Sequence, residues 1–139
     1  MPESDKHILL VNLLRESIMS IIPSDQSSVL EIDSSSTDKP YAVINGFIPD
    51  AFFDFDNITI IGEAKTDADF QRKHSLAQYD AYMDTLDHEY ENGKKVYLFV
   101  AVSWQICNHA YNFFKSLKKK KGSNCRIIII SDNKKRYEL

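Results

Sequence analysis

Three short, almost unbroken apolar runs constrain this chain more than any other feature: ITIIGEAK at 58–65, KVYLFVAV at 95–102 and CRIIIIS at 125–131. Each is too short for a buried helix and rich in β-branched residues, so each reads as a buried strand. Between them lie two stretches long enough for helices. The first, 66–91, is opened by Thr66, Asp67 and Asp69 and stopped by Asn92-Gly93; the second, 104–121, is stopped by Gly122. Strand and helix in alternation call for parallel crossover connections, here expected at the sheet edge.

The first half of the chain has a different grain. Residues 7–22 place Ile8, Leu9, Val11, Leu14 and Ile18 at helical spacing, with Ser4 or Asp5 as cap and Pro23 as stop. A short strand is expected at 29–33, a loop at 34–40 and an extended segment at 41–55, interrupted at Gly46 and Pro49. Asp54, Asp56 and Asn57 then turn the chain into the strand at 57–65. The predicted order is αβββαβαβ: an α/β fold, more fully an α+β sandwich, with a central mixed sheet in one domain spanning 1–139.

Composition narrows the class of protein. An apolar fraction of 43% and a charged fraction of 27% are those of an ordinary folded domain. The net charge of -3 does not advertise a polyanion partner, but its distribution is uneven. Acids dominate the first ninety or so residues, whereas Lys115, Lys118, Lys119, Lys120, Lys121, Arg126, Lys134, Lys135 and Arg136 crowd the last part. Cys107 and Cys125 lack metal-ligand spacing and suit a reducing compartment. No apolar run is long enough to span a bilayer, and the polar, acidic start MPESDKHILL is unlike a signal peptide. A cytoplasmic protein without membrane contact is expected.

Candidate chemistry gathers on two neighbouring strands. Asp50 follows Pro49; Glu63 and Lys65 lie two apart on the next strand and so share a face, with Ala64 on the other. If the strands pair as a hairpin, Asp50 comes beside Glu63. Two carboxylates that close repel unless a cation lies between them, and oxygen donors without His or Cys favour Mg²⁺ or Mn²⁺ over zinc.

Pro49-Asp50, then Glu63-Ala64-Lys65 at the end of an apolar strand, resembles the PD-(D/E)XK nuclease superfamily. Gln78-Tyr79-Asp80-Ala81-Tyr82 on the following helix resembles the QxxxY motif of its RecB and lambda-exonuclease-like branch; Holliday-junction resolvases and the VRR-NUC group are similar in size and motif order. The resemblance covers roughly residues 7–131. It implies a restriction-endonuclease-like core and a Mg²⁺-dependent deoxyribonuclease, with Mn²⁺ as a substitute. It further implies that Asp50, Glu63 and the Ala64 carbonyl hold the metal, with Glu16 of the first helix as an added acid. Lys65 would orient the nucleophilic water, Gln78 would steady Lys65 or the substrate, and Tyr82 would support that helix. Arg72, Lys73 and Tyr82 are candidates for DNA contact. One such domain cuts one strand at a time, so cutting two calls for a homodimer or a larger nuclease, helicase or defence complex. The alternative is a catalytically inactive subunit of the same fold that binds nucleic acid or a protein.

Other conspicuous residues take plainer roles. Asp54 and Asp56 are expected in the turn, Asp67 and Asp69 at a helix cap, and His88 and His109 in structural positions. Trp104 is expected in the core or an interface, and Tyr111, Phe113 and Phe114 on a packing surface that could serve a dimer.

Overall fold

A computed structural model describes residues 4–33 and 44–139. The loop expected at 34–40 and the first three residues of the extended segment lie outside the described residues. Helix α1 spans Asp5–Met19; the Ser4 hydroxyl caps it by accepting from the His7 amide at 3.1 Å. A 3₁₀ turn at Ser24–Val29 follows, then strands β1 (Glu31–Ile32), β2 (Ala51–Phe55) and β3 (Ile58–Lys65). Helix α2 (Lys73–Glu91) leads to β4 (Lys95–Val102), and helix α3 (Cys107–Lys121) to β5 (Arg126–Ser131) and β6 (Arg136–Glu138).

These strands make a six-stranded mixed sheet in sequence order, β1 to β6. β1, β2 and β3 pair antiparallel, β3, β4 and β5 pair parallel, and β6 returns antiparallel to β5. The expected meander followed by parallel crossovers is thus present. The parallel strands are central rather than at the edge, because the polar segment RYE pairs as β6 and covers β5. That strand escapes a sequence reading: it has three residues and no apolar run.

Alternation along the central strands divides the core in two. Ile61, Leu98, Val100, Ile127 and Ile129 pack against α2 and α3, with Tyr79, Tyr82, Leu86 and Phe114. Ile60, Ala64, Phe99, Ala101, Ile128 and Ile130 pack against α1, through Leu10, Leu14 and Ile18. Both crossover helices therefore lie on one face and α1 alone covers the other. Burial on both faces is why these strands read as continuous apolar runs.

Two helix boundaries differ from expectation. Residues 66–72 form turns, not the first turns of α2, because the Thr66 hydroxyl donates to the Asp69 carboxylate at 3.1 Å and holds a local loop. Asp67 and Asp69 therefore do not cap the helix; Arg72 occupies the cap position without a side-chain cap bond. The segment at 104–121 is also divided, into a 3₁₀ turn at Trp104–Ile106 and then α3. α3 ends at Gly122 in the left-handed region, φ 63°, where glycine has no Cβ to clash. Among the described residues, no helix is long and apolar enough to cross a membrane.

A candidate carboxylate and lysine site at the end of β3

Register sets the site. Ala51 pairs with Gly62, so Asp50, one residue before β2, comes opposite Glu63 near the C-terminal end of β3. On the other face of β3, the seating of α1 depends on a small residue at 62. A Cβ there would lie 3.0 Å from both Leu14 methyls and 3.1 Å from the Ala51 Cβ, so α1 could not seat as closely on β3.

Asp50, Glu63, Lys65 and Gln78 are 7%, 3%, 9% and 7% exposed, in a core that otherwise takes apolar residues. Charged groups are almost never buried this deeply without partners, and each has them. The Ala64 amide donates to Asp50 Oδ2 at 2.9 Å, and His7 Nε2 lies 3.5 Å from Asp50 Oδ1. The Tyr82 hydroxyl donates to Glu63 Oε1 at 2.9 Å, and the Lys65 ammonium donates to Gln78 Oε1. Gln78 and Tyr82, four residues apart, share the face of α2 that meets β3. The spacing of the QxxxY motif thus has a direct physical meaning: one turn of helix serves two neighbouring positions of one strand.

The carboxyl groups of Asp50 and Glu63 are within hydrogen-bonding reach of each other. Burial and the neighbouring Asp50 charge push Glu63 well above its ordinary 4.5, against the pull of Lys65 and Tyr82. Burial acts on Asp50 the same way but is outweighed. Hydrogen bonds from Glu63, His7 and the Ala64 amide hold it below its ordinary 3.8. The pair therefore holds its last proton, on the Glu63 side, to a higher pH than two separate carboxylates in water would. A cation placed between them would displace that proton. Both donors are hard oxygens, which suits Mg²⁺ or Mn²⁺. Among the described residues, no group of three or more His, Cys, Asp or Glu side chains is arranged to hold a metal. A cation here would draw its remaining ligands from backbone carbonyls, water and substrate, as Mg²⁺ commonly does.

Several candidates fall elsewhere. Glu16 is exposed, beside Leu9, Asn12, Leu13, Asp132 and Lys134. It lies nine residues beyond His7, about 2.5 turns and roughly 13 Å along α1, and so on the opposite side of the helix. The helix presents His7, not Glu16, to the carboxylates. His7 precedes Leu10, Leu14 and Ile18 on the buried stripe, and that spacing is the signal that marks it. Tyr82 is fully buried, its hydroxyl committed to Glu63, so it is not a DNA-contacting surface residue. Ala64, by contrast, lies at the carboxylates themselves, buried and with its amide donating to Asp50. Arg72 and Lys73 are exposed at the start of α2; the Arg72 Nε contacts the Ala68 carbonyl at 3.2 Å and the Asp69 carboxylate at 3.3 Å.

The basic run divides between the two ends of the sheet. Lys118, Lys119, Lys120 and Lys121 end α3 at the edge where β5 begins, so they lie toward the opposite end of the parallel strands from the C-terminal end of β3. Lys121 is ion-paired there with Asp80 and Asp84 at 2.6 and 2.7 Å. Lys134 and Lys135 lie past the end of β5, at the same edge as the site. Trp104 lies at that edge too and is 56% exposed, so it is not a core residue. Phe114 is buried, and Phe113 packs with it against Phe70 and Tyr79 in the α2–α3 core. In comparisons with known proteins, no protein family, no curated protein and no solved structure matches the chain.

Proposed function

We propose that this protein is a metal-dependent deoxyribonuclease that hydrolyses phosphodiester bonds in DNA at the Asp50, Glu63 and Lys65 site. The observation that carries the reading is the buried contact between the two carboxyls, with an amine two residues along the same strand face. Such an arrangement opposes folding unless a cation uses it. The resemblance of Pro49-Asp50, Glu63-Ala64-Lys65 and Gln78 to Tyr82 to PD-(D/E)XK nucleases supports the same reading, as does the αβββαβαβ order.

Asp50 and Glu63 would hold Mg²⁺ or Mn²⁺. Bound there, the ion would supply Lewis acidity, lowering the pKa of a coordinated water and offsetting charge on phosphate oxygens. The chain's own groups prepare that chemistry. His7 and the Ala64 amide hold Asp50 ionised and fixed. The Tyr82 hydroxyl orients Glu63, and Gln78 holds the Lys65 ammonium in place. Lys65 is then set to orient the attacking water and to stabilise negative charge as it develops. Gln78 and Tyr82 are positioning residues.

Cleavage of plasmid and single-stranded DNA with Mg²⁺ or Mn²⁺ tests this directly. Glu63→Ala and Lys65→Ala should each lower the rate at least about 100-fold, the order expected when one charge-stabilising group is lost. Equal rates in wild type and variants reject the assignment. The two-carboxylate set also favours a second reading, a nuclease-fold subunit that binds nucleic acid or a protein without cutting. Calorimetric titration with Mn²⁺ separates the two: a folded protein that takes up no Mn²⁺ is the non-catalytic subunit.

A further inference from the structure

Trp104 is the most exposed large apolar side chain among the described residues, yet its backbone is tightly held. It follows β4, whose last residue Val102 pairs with Lys65 on one side and Ser131 on the other. Trp104 thus stands two residues beyond a strand adjacent to the site, roughly 10 Å from Lys65 along the sheet edge. Its amide donates to Asp132 Oδ1 at 2.9 Å, and the same carboxylate takes the Lys6 ammonium. The preceding Ser103 is buried, with its hydroxyl bonded to the Asp67 carboxylate. Three segments, the start of α1, the turn after β4 and the turn after β5, are therefore tied together under one exposed indole.

Exposed cations stand at the same edge, beside the acid Glu16, which neighbours Lys134 and Asp132. Lys134 and Lys135 follow Asp132 on one side, and on the other side of the β3 end Lys73 is exposed beside Arg72, which is paired with Asp69 at 3.3 Å. The nearby acids Asp67, Asp69 and Asp132 already accept hydrogen bonds from this chain. An exposed indole on a held backbone, with Lys73, Lys134 and Lys135 at the same edge and one strand from a phosphate-cleaving site, has the two components of a single-strand binding surface. Those are a ring on which bases stack and charges that follow the backbone. A base inside a duplex presents only its edges and cannot stack on the ring.

We propose that Trp104 is a base-stacking platform that makes the protein prefer single-stranded DNA, or a frayed end, over closed duplex. This rests on the nuclease reading for its location but has its own readout. The chain has one tryptophan, so intrinsic fluorescence reports on Trp104 alone. Wild-type protein in EDTA, which prevents cutting, is titrated with a thymidine oligonucleotide and with a hairpin duplex of equal nucleotide count. Quenching at lower concentration by the single strand is expected. Trp104→Ala, followed by anisotropy of a labelled oligonucleotide, should weaken single-strand binding between about 5-fold and 150-fold while leaving duplex binding within about twofold. Trp104→Phe should retain most of the affinity, and Mn²⁺ uptake should be unchanged in both variants. Equal quenching by the two DNAs, or undiminished single-strand affinity in Trp104→Ala, overturns the proposal. Cleavage without quenching would sink this inference alone; quenching without cleavage would sink the nuclease reading and leave the platform standing.

Discussion

Replacing Glu63 by Gln should stabilise the metal-free protein at neutral pH, although the residue is buried at the centre of the site. Burial and the Asp50 charge raise the Glu63 pKa well above 4.5, so the folded protein retains a proton that the unfolded chain releases. The sign follows from proton linkage. Below 4.5 the carboxyl is protonated in both states and costs nothing. From 4.5 up to the raised folded value, stability falls by about 1.4 kcal/mol per pH unit. Asp50 is shifted the other way; it is ionised in both states across this window and adds no slope. Gln is isosteric with the protonated side chain, can donate to Asp50 as that proton does, and still accepts from Tyr82. For a chain of 139 residues, about 1.4 kcal/mol corresponds to roughly 4–7 °C in Tm. Thermal unfolding in EDTA at half-unit steps from pH 5 to 8 should therefore show the Glu63→Gln curve rising relative to wild type by about that amount per unit until folded Glu63 ionises, and level beyond that point. Adding Mn²⁺ at about 100 times Kd should stabilise wild type by about 2.7 kcal/mol and leave Glu63→Gln unmoved, reversing the order. Parallel pH profiles, or a variant clearly less stable than wild type at pH 7 in EDTA, would show that the carboxylate is an ordinary structural group and refute the reasoning.

Two further outcomes follow from position. Gly62→Ala should lower stability by about 1–3 kcal/mol, because the new methyl meets Leu14 and Ala51 at 3.0–3.1 Å and α1 must shift; an unchanged unfolding midpoint would show that α1 gives way freely. The double change Arg72→Ala and Lys73→Ala, at the site edge, should weaken DNA binding and reduce the slope of log K against log salt by about two. Lys119→Ala with Lys120→Ala, at the far edge, should leave both within error; the opposite pattern in a salt titration would move the DNA path to the other end of the sheet.

The legible parts of this fold are those in which local pattern and global position agree. Lys95–Val102 is buried on both faces, so its sequence is apolar throughout and its bounds match the expectation from sequence. β6 is legible only through its partner: Arg136, Tyr137 and Glu138 carry no apolar run and become a strand because β5 would otherwise expose an edge. The start of α2 was displaced by the Thr66 to Asp69 bond, a local competitor that composition does not distinguish from a helix cap.

The same division runs through the site. Asp50, Glu63 and Lys65 could be paired from strand period and a hairpin alone, since register then fixes who stands opposite whom. Choosing the residue that α1 contributes is harder, because Glu16 and His7 both interrupt apolar stretches and only helical phase separates them. Phase favours His7, three residues before Leu10 and seven before Leu14, both fully buried; Glu16 falls between Leu14 and Ile18 on the solvent side. The consequence is chemical. An acid from α1 would have added a third negative charge to a pair that already holds a proton against repulsion. An imidazole instead helps to keep Asp50 ionised and leaves Glu63 as the carboxyl whose proton a cation must displace.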